Sequence, residues 1–314
     1  MRIKPLETIF RLMSEPTVIT LFAKQSRANF CEVLRTFLEW TQNHGVQVQT
    51  HIPLSAFEVE DGETLRDLSK AYESVTLRGT PEEALEGSTL VCTIGGDGTM
   101  LLAANWVRGT GIPILGIHAG NLGFLAHIQA KELDSALPQV LQGNAHKDRR
   151  YFLEASLPNG DKAYALNEFS FTKKDRINLI GISASYGGRH VNDYWADGLL
   201  VASPTGSTAY NLSSGGPIVY PGTPVMVVTP INPHTLTTRP LVLPSDTELE
   251  LQVQEKPDEL LFSYDGVLES RTFESSIFRV KQSDQWVEFL RLEGDDYFEN
   301  LRGKLMWGKD LRNR

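Results

Sequence analysis

The chain has 314 residues, of which 41% are hydrophobic, and its formal net charge at pH 7 is −9. This length suits about two domains, each with a hydrophobic core. An acidic chain without a dense basic patch is not expected to bind nucleic acid, so an anionic ligand would need local hydrogen-bond donors or a cation. No apolar stretch approaches the length of a membrane span, so no membrane partner is expected.

The cysteines and histidines argue against disulfide bonds and against a metal held by the protein. Cys31 and Cys92 lie far apart in apolar segments, which is typical of reduced, buried thiols in a cytosolic protein. The seven histidines have no metal-ligand spacing. The N-terminus has no apolar segment of the signal-peptide kind. Together these features predict a cytoplasmic protein with no metal ion ligated by its side chains.

The first 145 residues alternate between predicted strands and helices. The helix over 27–40 is amphipathic, with its apolar residues on one face. Thr80 begins a typical helix start, because Pro81 follows at the first position and Glu83 lies three residues on. Strands are predicted at 17–23, 46–52, 89–94 and 112–117, and further helices at 100–106 and 131–142. The alternation predicts a Rossmann-like α/β domain over 1–145, with a mainly parallel sheet and helices on both faces.

Residues 146–292 have a different pattern, in which apolar and polar residues alternate as in half-buried strands. Turn sequences at 158–161 and 187–188 separate such runs. Strands are predicted around 151–157, 180–186, 249–253, 259–264, 276–281 and 286–292. We therefore expect a β-sandwich-like domain or another two-layer β domain over 146–292. The charged tail 293–314 either packs back on the first domain or remains loose.

The most informative stretch is Gly95–Thr99, with the sequence Gly-Gly-Asp-Gly-Thr, directly after the predicted strand 89–94. Glycines let the backbone approach a phosphate, and the amide groups at a helix start attract anions. The carboxylate of Asp97 would repel a phosphate unless a metal ion intervenes or the acid takes part in proton transfer. A plain strand-to-helix turn with Asp97 as the helix cap explains these residues about equally well. The segment is neither a dinucleotide fingerprint nor a Walker A loop.

Five further clusters contain more glycine and polar residues than packing requires. Most of them, taken singly, are explained at least as well by a loop, a strand edge or a hairpin turn. An adjacent amide and carboxylate can bracket a ribose diol, since each reaches a different hydroxyl. Apolar segments flank the hydroxyls, glycines and aromatic ring of Ser203–Gly216, which suits a polar pocket with a stacking ring. The five clusters are Gly120–Phe124, Asn167-Glu168, Asp197-Gly198, Ser203–Gly216 and Tyr264–Gly266.

Taken together, these segments resemble the NAD kinase family, in the family's order and at similar separations, over roughly residues 90–270. The Gly-Gly-Asp-Gly piece alone is weak, because diacylglycerol kinases, sphingosine kinases and phosphofructokinases also contain it. The piece Ser203–Tyr210, which follows Asp197-Gly198, is far more specific. The matching pieces are Gly95–Thr99, Gly120–Leu125, Asn167-Glu168, Asp197-Gly198, Ser203–Tyr210, Ser214–Pro217, Pro233-His234 and Arg239-Pro240.

The resemblance implies ATP-dependent phosphorylation of the 2′-hydroxyl on the adenosine ribose of NAD, which gives NADP. Asp97 would accept the proton of that hydroxyl, and Mg²⁺ or another divalent cation would accompany ATP. NAD kinases are usually homo-oligomers with pockets completed by a neighbouring subunit, so a homo-oligomer is expected. The residues implied to bind the nucleotides are Gly96, Gly98 and Thr99 at the triphosphate, and Asn121, Asn167, Glu168, Asp197, Thr208, Ala209, Tyr210 and Ser213, with Tyr210 stacked on a ring.

The chain departs from the family pattern at three positions. Many relatives have a basic residue where this chain has Ala119 and Trp195, and they often have Gln where it has Val267. These departures bear on the contacts to the dinucleotide, and hence on the preference between NAD and NADH. Two alternatives remain at this point: a lipid or sugar kinase that shares only the glycine turn, and a non-catalytic sensor of NAD or NADP on the same fold.

Overall fold

The computed structural model describes residues 17–23, 30–51, 70–120, 123–174, 179–254, 260–269 and 276–307. These residues divide into two compact units. One, which we call the α/β unit, runs to Asp148 and resumes at Val287, and the other, the β unit, is Arg149–Trp286. The chain thus completes the β unit and then returns to the α/β unit for its last described residues.

The elements are numbered in chain order. The helices are α1 (Phe30–Asn43), α2 (Pro81–Leu85), α3 (Asp97–Val107), α4 (Leu133–Leu141), α5 (Tyr210–Ser213) and α6 (Tyr297–Leu305). The strands are β1 (Val18–Ala23), β2 (Gln47–His51), β3 (Val75–Arg78), β4 (Leu90–Gly95), β5 (Ile114–His118), β6 (Ile128–Gln129), β7 (His146–Ser156), β8 (Lys162–Ala165), β9 (Glu168–Lys173), β10 (Ile180–Tyr186), β11 (Arg189–Ala196), β12 (Gly198–Ala202), β13 (Val225–Ile231), β14 (Leu241–Pro244), β15 (Leu249–Val253), β16 (Leu260–Tyr264), β17 (Val267–Leu268) and β18 (Ile277–Arg291).

A parallel sheet in the order β5-β4-β1-β2-β3 forms the centre of the α/β unit. Strands β4 and β5 are buried along their whole length, as expected of a parallel sheet that is covered on both faces. The mainly parallel α/β sheet predicted from the sequence is confirmed. Thr80 also caps α2 as predicted, because its side chain accepts a hydrogen bond from the backbone N–H of Glu83.

Two antiparallel sheets form the β unit, one in the order β11-β10-β15-β18 and the other in the order β14-β13-β12-β9-β16-β17. Their inner faces share one hydrophobic core. Phe278 of the first sheet packs against Phe171 and Phe262 of the second, with ring centres 5.1 and 5.2 Å apart. The two-layer β domain predicted from the alternating pattern is therefore confirmed.

The sequence analysis was wrong about the last strands. Residues 276–281 and 286–292 were predicted as separate strands, whereas the structure has one long strand, β18. The polar residues between them stay extended because they find partners. The backbone N–H of Gln282 donates to the carbonyl of Ser245 at 2.9 Å, and the hydroxyl of Ser245 donates to the side chain of Gln282 at 2.7 Å. Hydrophobic patterning alone does not distinguish such a paired polar segment from a break.

Cys31 and Cys92 are both free and buried, as predicted. Burial raises the pKa of the Cys92 thiol far above its usual range. A buried thiol with a raised pKa is unreactive, so Cys92 contributes to packing rather than to chemistry.

Candidate active site

The glycine turn connects β4 to α3 and leaves its backbone accessible. Gly96 precedes the helix, and α3 begins at Asp97. A side chain at Gly95 would collide with buried Thr99, since its Cβ would lie 2.2 Å from Thr99 Oγ1. A Cβ at Gly96 or Gly98 would instead meet nothing within 4 Å. Because the first N–H groups of a helix have no acceptor within the helix, this open turn suits an anion.

Asp97 does not cap α3. Its carboxylate reaches a segment that we call the amide loop (Gly123–Ala126). Oδ2 accepts a hydrogen bond from the backbone N–H of Phe124 at 2.8 Å, and Oδ1 accepts from Leu125 at 2.9 Å and from Ala126 at 3.4 Å. The helix-cap interpretation is therefore wrong. Three successive amide groups instead fix the orientation of the carboxylate.

The amide loop requires a glycine at its first residue. A Cβ at Gly123 would lie 2.0 Å from Asp97 Oδ1, so any side chain there would displace the carboxylate. The glycine turn and the predicted cluster Gly120–Phe124 therefore meet at Asp97. Asn121, the nucleotide-binding residue predicted within that cluster, lies outside the described residues.

Side chains from later in the α/β unit hold the carbonyl groups of the amide loop. The guanidinium of Arg291 donates to the carbonyl of Leu125 at 3.2 Å and to that of Phe124 at 3.4 Å. Nε2 of His127 lies 2.9 Å from the same Phe124 carbonyl. The loop is thus held on both sides, through its N–H groups by Asp97 and through its carbonyl groups by Arg291 and His127.

Arg291 is itself bound by two carboxylates. Asp148 lies 3.2 Å from its Nε, and Asp295 lies 3.4 Å from its Nη1. Burial lowers the pKa of Arg291 to about 10, against the opposing influence of the charges on Asp295 and Asp97. The guanidinium therefore remains charged at neutral pH, and it places a positive charge next to the carbonyl groups of the amide loop.

A lysine near the C-terminus is the closest described cation to Asp97. Nζ of Lys304 lies 3.6 Å from Asp97 Oδ2 and 4.5 Å from the centre of the Phe124 ring. The sequence analysis missed both Lys304 and Arg291, because the charged tail has no spacing that points to a site. The available signal was Asp296, which caps α6 and so marks an ordered helix in the tail.

A second carboxylate in the β unit holds successive amide groups in the same way. Asp265 Oδ2 accepts from the backbone N–H of Leu166 at 2.8 Å, and Oδ1 accepts from Asn167 at 2.7 Å and from Glu168 at 3.3 Å. Asp265 adopts a positive φ of 49° in the turn after β16. The predicted clusters Tyr264–Gly266 and Asn167-Glu168 thus form one local structure.

The carboxyl of Glu168 has a strongly shifted pKa. Its side chain is buried, and burial raises the pKa of its carboxyl to about 8, with the charge of Asp265 adding to the rise and a backbone hydrogen bond from Tyr210 opposing it. At neutral pH the carboxyl is therefore mostly protonated. A protonated carboxyl can donate a hydrogen bond as well as accept one.

The segment Ser203–Gly216 packs on the connection between β8 and β9 that contains Asn167. Ser203 donates its hydroxyl hydrogen to the carbonyl of Leu166 and accepts from the backbone N–H of Gly206 at 3.2 Å. Gly206 lies so close that a Cβ there would be 2.1 Å from the carbonyl oxygen of Asn167. The ring of Tyr210 is 45% exposed. Of the other predicted residues in this segment, Thr208 and Ala209 are half-buried and Ser213 is exposed.

Asp197 lies away from Glu168 and the segment Ser203–Gly216. It is exposed between β11 and β12, and it accepts a hydrogen bond from the side chain of Asn232 at 3.0 Å. Ala202, the last residue of β12, is opposite Glu168. At about 3.3 Å per residue, Asp197, five residues before Ala202, is then roughly 16 Å away along the strand. Within one chain, Asp197 directly precedes β12, whereas Glu168 of β9 is paired with the last residue of β12.

Neither a metal centre nor a membrane span is found in the part of the chain that the structure describes. Within those residues, no group of three or more His, Cys, Asp or Glu side chains is arranged to hold a metal ion. None of the described helices is long and apolar enough to cross a bilayer.

Comparison with protein-family models gives two matches. Residues 19–145 match the ATP-NAD kinase N-terminal domain, and residues 166–292 match the ATP-NAD kinase C-terminal domain. Among curated proteins, the chain is 41% identical over 251 residues to an NAD kinase of Flavobacterium johnsoniae, which covers 78% of this chain and 84% of that protein. It is 35% identical over 286 residues to an NAD kinase of Flavobacterium psychrophilum, with 90% and 94% covered.

Solved structures show the same fold at lower identity. The crystal structure of yeast NADH kinase complexed with NADH has a TM-score of 0.81 at 22% identity, and the match covers 96% of this chain and 91% of that chain. The structure of an NAD kinase from Archaeoglobus fulgidus in complex with ATP has a TM-score of 0.70 at 22% identity, with 92% and 99% covered.

Proposed function

The chain belongs to the NAD kinase family, and from this premise we propose how its residues phosphorylate NAD. In the reaction the 2′-oxygen of the adenosine ribose forms a bond to the γ-phosphorus of ATP. The bond from that phosphorus to the β–γ bridging oxygen breaks, ADP leaves, and the hydroxyl proton passes to a base. A lipid kinase or a non-catalytic sensor is not favoured, because the NAD kinase matches cover both halves of the chain.

Asp97 is the base in this proposal. The proposal rests on the position of its carboxylate. Three backbone amides hold this carboxylate at the start of α3, next to a glycine turn whose backbone is accessible. Phosphoryl transfer depends mostly on alignment and on charge stabilisation. A carboxylate held in one orientation can align the ribose hydroxyl and accept its proton as the bond to phosphorus forms.

The glycine turn binds the phosphates of ATP. Backbone N–H groups at Gly96 and Gly98 are the donors, and the positive end of α3 favours the negative charge. Thr99 supports the turn by packing over Gly95. A divalent cation enters as the complex with ATP, where it neutralises phosphate charge.

The dinucleotide binds to the β unit. Glu168, protonated at neutral pH, donates a hydrogen bond to a ribose hydroxyl or to a base edge. The side-chain amide of Asn167 forms a hydrogen bond with a second such group. The exposed ring of Tyr210 stacks on a base. Asn121, Thr208, Ala209 and Ser213 stay predictions as further contacts to nucleotide.

A homo-oligomer is part of the proposal. The separation of Asp197 and Glu168 along β12 within one chain, roughly 16 Å, supports an arrangement in which a second copy of the chain supplies Asp197 to the nucleotide bound at Glu168. A cytoplasmic location stays a prediction.

The test is a kinase assay with matched substrates. The purified protein is incubated with MgATP and NAD, and NADP is detected through glucose-6-phosphate dehydrogenase. We expect NADP with NAD and no phosphorylated product with the 2′-deoxyribose analogue of NAD, since the analogue lacks the attacking oxygen. Absence of NADP, or equal phosphorylation of the analogue, would refute the proposed function.

A further inference from the structure

Lys304 lies beside the proposed base, where its ammonium forms an ion pair with Asp97 and contacts the Phe124 ring but donates no hydrogen bond to a described residue. Its Nζ is 3.6 Å from Asp97 Oδ2, beyond hydrogen-bond distance, and its side chain is 26% exposed. We find no hydrogen bond from this ammonium to any residue in the described ranges. An ammonium has three donors, so Lys304 retains donors for a group that enters from solvent.

The helix that carries Lys304 is anchored to the rest of the α/β unit. These contacts fix the position of the helix from which the lysine side chain extends. The side-chain amide of Asn300, one turn earlier on the same face, donates to Asp295 at 2.8 Å and lies 3.0 Å from His127 Nδ1. Leu301 is buried against the unit, and Asp296 caps the start of the helix. Residues four apart face the same side of a helix, so Lys304 lies on the side of α6 that faces the amide loop.

The other cation at this loop is already engaged. Arg291 is bound by Asp148 and Asp295 and by two loop carbonyls, and its side chain is only 12% exposed. In a chain with a net charge of −9, a protein cation that can move toward the triphosphate at the glycine turn would add to the neutralisation that the divalent cation supplies. Lys304, the described cation next to Asp97, is half-buried and donates no hydrogen bond to a described residue.

We propose that Lys304 is a phosphate-binding residue of the kinase reaction: its ammonium moves from Asp97 Oδ2 to a phosphate oxygen of ATP. This inference rests on the proposed function, because it places the triphosphate beside Asp97. The move has two effects. It brings a point charge to the phosphates, where negative charge develops during transfer, and it leaves Oδ2 to the ribose hydroxyl.

The test compares Lys304→Ala with Arg302→Ala, a matched control, since Arg302 is an exposed basic residue on the same helix. Binding of ATP and of AMP is measured by calorimetry without NAD. We expect Lys304→Ala to weaken ATP binding by about tenfold to a hundredfold, the range for losing a hydrogen bond to a charged group. AMP binding and the control variant stay unchanged, and Lys304→Arg restores part of the ATP affinity. Equal ATP affinity in Lys304→Ala and the wild type would overturn the inference.

A structural role for Lys304 gives a different result. If the lysine only docks α6, Lys304→Ala lowers the melting temperature and weakens ATP and AMP binding by the same factor, and the inference is then wrong. In the kinase assay, we expect the KM for ATP to rise while the KM for NAD stays within about twofold, since only the phosphate contact is lost. A wild-type protein that phosphorylates no NAD, but whose ATP affinity depends on Lys304, would refute the proposed function and leave the phosphate contact in place.

Discussion

Each unit contains an aspartate whose side chain accepts hydrogen bonds from three successive backbone amides, but the charged group beside the aspartate has the opposite sign in the two units. In the α/β unit, Asp97 accepts hydrogen bonds from three successive backbone amides at 124–126. In the β unit, Asp265 does the same at 166–168. The neighbour of Asp97 is the ammonium of Lys304, whereas the neighbour of Asp265 is the carboxyl of Glu168, whose pKa it helps to raise.

This difference separates two roles for an acidic side chain. The carboxylate of Asp97 is held in one orientation by three amides, which suits alignment of a hydroxyl and receipt of its proton. A carboxyl beside another carboxylate keeps its proton, which suits donation to a neutral ligand group. In each unit the aspartate holds the loop through its backbone amides. The charge beside the aspartate determines whether the site accepts a proton or donates a hydrogen bond. The four predictions that follow test this division, beginning with the largest expected effect.

Asp97→Asn tests the acceptor role most directly. The asparagine keeps one acceptor oxygen for the three amides of the loop, so at least one amide loses its acceptor at a cost of about 1–3 kcal/mol, and the side chain no longer takes up a proton. We expect kcat to fall by about a thousandfold, within the range for losing a general base, with little change in the KM for NAD. Asp134→Asn is the control, since Asp134 is exposed in the same unit. Near-normal turnover in Asp97→Asn would remove Asp97 from the mechanism.

Gly123→Ala displaces the carboxylate of Asp97 without changing its chemistry. Its Cβ would lie 2.0 Å from Asp97 Oδ1, so the carboxylate or the amide loop must move. A shift of about 1 Å at a reacting group costs about a hundredfold in rate, and we expect a loss of that size in kcat.

The control for this change is Gly303→Ala, in α6, where a Cβ meets nothing within 4 Å. This variant should keep full activity and gain up to about 1 kcal/mol of stability, because alanine favours a helix over glycine. Kinetics and thermal melting of both variants measure the difference. If Gly123→Ala retains full activity, the amide loop does not position Asp97.

The sequence predicted the sheets better than it predicted the surroundings of the two aspartates. The strand β4 and the turn after it follow from local pattern, because an apolar run and glycines show their structure within a few residues. The contact between Asp97 and Lys304 joins positions 207 residues apart, by subtraction of their numbers, and no local rule detects it. Likewise, the sequence around Asp265 predicts only an ordinary hairpin turn, since its partners at 166–168 lie about a hundred residues earlier in the chain. Long-range contacts of this kind depend on the topology of the sheets.

Asp265→Asn weakens the corresponding structure in the β unit. The asparagine retains one acceptor oxygen for three amides, so at least one loses its acceptor, at a cost of about 1–3 kcal/mol. We expect a lower melting temperature and a KM for NAD about tenfold higher, because the contacts of Asn167 and Glu168 are misplaced. ATP binding should not change. Asp246→Asn, at an exposed position of the same unit, is the control. An unchanged KM for NAD would show that this aspartate does not order the dinucleotide site.

The smallest expected effect is a pH dependence that belongs to Glu168. The pKa of its carboxyl is about 8 in the folded protein, against an ordinary value of 4.5. Between these values the folded state holds a proton that the unfolded state releases, so the free energy of unfolding falls as pH rises from about 4.5 to about 8. Glu168→Gln, which stays neutral, should lack this fall, and the gap in melting temperature between the variant and the wild type should widen toward alkaline pH.

The KM for NAD should rise about threefold through pH 8 in the wild type and stay flat in the variant, because only the protonated acid of Glu168 donates a hydrogen bond. If both proteins show the same profile, Glu168 is not a donor to the dinucleotide, and the contrast with Asp97 does not hold.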